Sequence, residues 1–123
     1  MRWARILQSK WLLALAVVGH LTTSSYGDEI VNSGVPSAVF ADPGAFVVQI
    51  VDTQGLLISG KCGSSFFTLQ RNNQPNFYDS SAIILTAFAI QKQVMLFTLQ
   101  DNTGAPQCGP DNRNLLDHVG VTN

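Results

Sequence analysis

Residues 79–100 hold the longest apolar concentration in the chain beyond its N-terminal segment, and they constrain the fold more than any other stretch. They open with Asp79-Ser80-Ser81, whose short side-chain oxygens suit the orphan N–H groups of a starting helix. Across residues 82–90 the apolar positions include the i, i+4 pair Ile84 and Phe88 together with Ile83, Ala87 and Ile90. A helix so patterned is apolar nearly all round, which predicts that it is buried and that Phe88 lies in the core. After Gln91-Lys92-Gln93 come Val94, Met95, Leu96, Phe97, Thr98 and Leu99, where bulky side chains on both faces of a pleat predict a central strand. A buried helix feeding a buried strand accounts for folding and leaves function open.

The N-terminus reads as a targeting segment. Arg2, Arg5 and Lys10 precede the nine-residue apolar run 11–19, and small residues follow up to Ser25-Tyr26-Gly27. A basic region, a short apolar region and a small-x-small site predict a signal peptide over residues 1–27, cut after Gly27. Nine apolar residues are too few to cross a hydrocarbon core, which needs about 20. The later apolar run carries Lys92 at its middle, where a charge is costly in lipid, so no membrane span is expected after cleavage.

Removing residues 1–27 takes away both tryptophans and leaves one small domain of 96 residues. Four basic residues, Lys61, Arg71, Lys92 and Arg113, then face eight acidic ones, a net charge of −4. Without a basic cluster there is no electrostatic footprint for nucleic acid. Cys62 and Cys108 are the only cysteines, and in an oxidising compartment they are expected to pair. Two thiols and His118, the one histidine left, are too few for a metal site, and no cofactor is expected.

Residues 28–44 mix Asn, Ser, Gly and Pro, with Pro36 and Pro43 interrupting regular pairing, and are expected to form a loosely attached arm. Strands are expected over residues 46–51 and 56–62, joined by Asp52-Thr53-Gln54-Gly55, and over residues 65–69. Residues 71–76 read as a polar loop before the helix, residues 101–112 as an irregular connection, and residues 114–121 as a last strand.

The order is therefore three strands, a helix and two strands, which resembles the five-stranded OB-type barrel with its helix between strands three and four. Cys62 after the second strand, Phe66-Phe67-Thr68-Leu69, Asn76-Phe77-Tyr78, Leu85-Thr86-Ala87-Phe88-Ala89, Lys92-Gln93-Val94-Met95-Leu96-Phe97 and Cys108 together resemble a group of small exported bacterial domains. These are similar in architecture to the pentameric receptor-binding subunits of bacterial A–B toxins. The resemblance spans residues 45–121 and implies an OB-like barrel domain over 45–123, a homo-oligomer, and a glycan or surface protein as partner. Members commonly carry a glycine where this chain has Gln91. The resemblance carries no glycan-binding residue across by position.

Candidate chemistry is sparse. His118 beside Asp117 in a strand would point to the opposite face, which argues against a catalytic dyad, and the chain is read as non-enzymatic. Sugar recognition uses an exposed aromatic face beside amides, and Tyr78 with Asn72, Asn73, Gln74 and Asn76 comes nearest. The alternative role for Phe77 and Tyr78 is structural, closing the core and stapling the helix. Two functions stand: a secreted binding module, or a monomeric envelope-associated structural domain without a ligand.

Overall fold

The computed structural model describes residues 29–72 and 75–122, so the expected signal peptide, Asp28, Asn73 and Gln74 lie outside the described residues. Five strands, β1 (Val31–Asp42), β2 (Ala45–Val51), β3 (Phe67–Gln70), β4 (Val94–Thr98) and β5 (Asn114–Val121), close into a ring in the order β1-β2-β3-β5-β4. The helix α1 (Phe77–Ile90) joins β3 to β4. All pairings are antiparallel except β3 with β5. This is the OB-like arrangement that the order of elements predicts.

The stretch expected to be a loose arm is β1, the longest strand, and it pairs with β4 through its first residues and β2 through the rest. Proline does not prevent this, because each proline sits where a ladder N–H is not needed. Pro36 stands at a register shift in which Ser37 is the extra residue, and Pro43 with Gly44 (φ 76°) makes the two-residue turn into β2. Conversely, residues 56–62 are not a regular strand. Leu57 makes one bridge to Val51, and the Ile58 N–H donates to the Ile50 carbonyl at 3.0 Å before the chain turns away.

The core joins Val48 and Ile50 of β2, Phe67 and Leu69 of β3, Val94 and Leu96 of β4, and Leu116 and Val119 of β5 to Phe77, Ile84 and Ala87 of the helix. The helix starts at Phe77 behind Asn76, earlier than the expected Asp79, and no side chain caps it. It is also not buried all round. Ile84 is fully buried, Phe88 is only half-buried, and Leu85 and Ile90 stand open to solvent, Ile90 at 63%. The helix adds Phe77, Ile84 and Ala87 to the core that the inward strand side chains form, so only one stripe of it is buried and the rest faces solvent.

Candidate functional site

The pairing of Cys62 with Cys108 is present, with Cα atoms 5.7 Å apart. It ties the chain after the Leu57 bridge to the long connection between β4 and β5. A buried asparagine holds the same region. Asn114, wholly inaccessible, donates from Nδ2 to the Ser64 and Phe66 carbonyls and accepts the Cys62 N–H at Oδ1, each at 2.9 Å. The Ser64 hydroxyl in turn donates to the Asn112 carbonyl at 2.7 Å. Two loops distant in sequence are thereby fixed against each other.

What they frame is the outer face of β1, β2 and β3. Val48 and Ile50 point into the core, so the period of two aims Val47 outward, yet Val47 is only 1% exposed. Phe40, Phe66 and Arg113 surround it and, with Asp42, line a cleft of about 270 Å³. The Phe40 and Phe66 rings are tilted with centroids 6.4 Å apart, and the Arg113 guanidinium lies 5.6 Å from the Phe66 centroid. Arg113 Nη1 also donates to Asp42 Oδ2 at 2.9 Å. Asp42 and Arg113 continue into a second cleft of about 350 Å³ over Thr68 and Gln70, rimmed by the Pro43-Gly44 turn and by Asp111.

Two features of this face are costly for folding alone. Thr68 is buried, and its hydroxyl oxygen has no partner. Asp111 and Asn112 on the rim both have positive φ, 60° and 58°, which non-glycine residues adopt at a cost. Aromatic edges, a guanidinium and a carboxylate within one cleft pair can present apolar contact and hydrogen bonds to a polyhydroxylated ligand.

The residues expected from sequence lie elsewhere. Asn72, Asn76 and Tyr78 are exposed, Tyr78 at 73%, with its ring edge-on to buried Phe77 at 5.2 Å and Arg71 5.3 Å from the Phe77 centroid. Phe77 thus closes the core as its alternative reading holds. The clefts over Val47 and Thr68 are lined by other residues. Sequence reading missed Phe40, Asp42, Phe66, Thr68 and Arg113 because they come from three stretches far apart in the sequence. Only the outward period of Val47 in an otherwise apolar strand hinted that something covers it.

Asp117 and His118 do not point to opposite faces. A register shift pairs Phe97 with His118 and Thr98 with Leu116, leaving Asp117 as an extra residue in a bulge. Leu116 and Val119 face the core, so both residues between them face out. His118 Nδ1 lies 3.0 Å from Asp117 Oδ2, and its ring stacks on Phe97 at 4.2 Å. The pair orients an imidazole, but no hydroxyl or thiol among the described residues joins it as a nucleophile.

A third surface is apolar. Ala82, Ile83, Thr86 and Ile90 of the helix and Val121 of β5 line a groove of about 230 Å³ with Lys92 at its edge. Among the described residues no helix is long and apolar enough to cross a membrane, and no three His, Cys, Asp or Glu residues cluster as a metal site.

No model of a known family matches the chain, and no curated protein matches it. Among solved structures, OBody AM2EP06 bound to hen egg-white lysozyme is similar at 16% identity, over 81% of this chain and 84% of that one, with a TM-score of 0.43.

Proposed function

We propose that the protein is an exported, non-catalytic binding module that recognises a glycan on the outer face of β1, β2 and β3. The observation that supports this reading is the joined cleft pair that runs from Phe40 and Phe66, across the Asp42–Arg113 ion pair, to Gln70 and the Pro43-Gly44 turn. Its rim is held by the disulfide and by Asn114, so a ligand would meet a surface already ordered, which lowers the entropic cost of binding. This surface replaces the 72–78 loop as our choice of recognition site. The apolar groove beside Ile90 and Val121 supports a homo-oligomer, because several such clefts on one assembly would raise a low single-site affinity through avidity.

The test is a glycan-array screen of the oxidised protein with light scattering of the same sample across micromolar concentrations. The expected result is retention on a defined glycan class that Arg113→Ala or Phe66→Ala weakens by about tenfold, the effect of about 1.4 kcal/mol. A monomer that retains no glycan would instead favour the structural, ligand-free reading.

A further inference from the structure

We propose that the protein has a second binding site, a notch in the wall of the ring that takes an extended peptide strand from a partner protein. Four consecutive residues, Glu29, Ile30, Val31 and Asn32, form one side of a cavity of about 610 Å³, and Lys61 and Gly60 stand on the other. Inward and outward residues of β1 line it alike, so the cavity faces the edge of the strand and not one of its faces.

The ladder shows what that edge offers. β1 pairs with β4 from Val31 to Gly34, and the Thr98 N–H donates to the Ile30 carbonyl at 2.9 Å. Antiparallel alternation then aims the N–H and C=O groups of Val31 and Ser33 away from β4. The same edge is used from Val35 onward, where β2 pairs with it, but β2 ends at Val51. Its last carbonyl comes so near that a Cβ on Gly34 would meet it at 2.6 Å. Among the described residues nothing pairs with the edge before Val35. A strand in the notch would continue the line of β2, antiparallel to β1, and two paired residues provide up to four main-chain hydrogen bonds.

The side chains add selectivity. The Asn32 side-chain oxygen is buried without a partner, an acceptor waiting for a donor such as a threonine or serine hydroxyl. Glu29 and Lys61, both exposed, are acidic and basic on facing sides of the notch. The strand that fits therefore carries a charge of each sign beside a short alternating run of small polar and β-branched residues.

The probe is acetyl-Glu-Thr-Val-Thr-Val-Lys-amide at millimolar concentration, with a control peptide in which both valines are proline. The readout is amide hydrogen exchange of the purified, oxidised protein by NMR. In the free protein Asn32, whose N–H faces β4, should be protected while Val31 and Ser33 exchange rapidly. The peptide should slow Val31 and Ser33 by about tenfold or more, and the proline control should not. Val31→Pro removes an N–H that the ring does not use, so it should keep the fold and abolish the slowing at Ser33. Protection of Val31 and Ser33 without peptide, protection that rises with protein concentration alone, unfolding of Val31→Pro, or no slowing at saturating peptide would each overturn the proposal. The second of these outcomes would assign the edge to another copy of the chain.

Discussion

The amide of Asn114 packs directly against Gly60, so close that a Cβ on Gly60 would overlap it, while Asn114 Oδ1 accepts the N–H of Cys62 two residues further on. A side chain on β5 thus sets the path of a loop some fifty residues earlier. Asn114→Ala would leave the Cys62 N–H without a partner, whereas the Ser64 carbonyl keeps the Gly60 N–H and the Phe66 carbonyl keeps the Asn114 backbone N–H, each at 2.9 Å. The expected loss is about 1–3 kcal/mol, from one part-buried N–H left unpaired. Gly60→Ala should cost about 1–3 kcal/mol by forcing the amide aside. Urea unfolding of both single variants and the double measures this, and the double should lose less than the two added, because both act on one contact.

The disulfide closes the same region covalently. Cys62 and Cys108 are 46 residues apart, and a loop of that length confers about 4 kcal/mol in the chain-entropy model. The paired Cys62→Ser, Cys108→Ser variant should lose most of that in chemical denaturation. Its NMR spectrum should change chiefly in the β4–β5 connection, since the Asn114 bonds still hold residues 62–66.

How much of this was legible depends on whether the signal was local. The helix-then-strand core could be read because its apolar pattern is continuous over residues 79–100, and the disulfide because two cysteines allow one bridge. The arm that became β1 was misread because its prolines look like breakers unless one knows that Pro36 sits at a bulge and Pro43 in a turn. The outward Asp117–His118 pair needed an inserted residue that no periodicity reveals. The clefts over Val47 and Thr68 draw on β1, β2, β3 and the two linked loops, so only tertiary structure could assemble them.

The helix offers a direct comparison of pattern with position. Ile84 is fully buried in the core, and Ile84→Ala should cost about 3–4 kcal/mol, within the range of such truncations. Phe88 is larger but half-buried, so Phe88→Ala should cost less, about 1–2 kcal/mol. Thermal unfolding that ranked Phe88 above Ile84 would contradict the helix orientation.

Gln91 ends the helix in the left-handed conformation, φ 57° and ψ 50°, which glycine adopts without steric cost. The turn is therefore the glycine turn built without glycine. Its side-chain Nε2 donates to the Phe88 carbonyl at 2.9 Å and, at 3.4 Å, to that of Pro36, which partly offsets the strain. Gln91→Ala removes those bonds and keeps the strain, while Gln91→Gly removes both. The glycine variant should be more stable than the alanine variant by about 1 kcal/mol in paired thermal melts.

The β4–β5 connection carries one group whose acidity is displaced. The Asp101 carboxyl is held below its ordinary value of 3.8, first by the Thr103 hydroxyl at 2.6 Å and then by the N–H groups of Thr103 at 2.8 Å and Ala105 at 3.0 Å, all of which favour the ionised form. Because the folded chain binds this proton less readily than the unfolded chain, the contribution to stability is fully present above the ordinary value. It fades as the pH falls below 3.8 through the lower folded value. Thr103→Ala removes the largest cause, so an NMR titration of Asp101 should move up toward the ordinary carboxylate range. The hydrogen exchange of Thr103 and Ala105 should quicken in the wild type only in acid below that range. An Asp101 titration unchanged by Thr103→Ala would mean that the backbone N–H groups alone hold the turn.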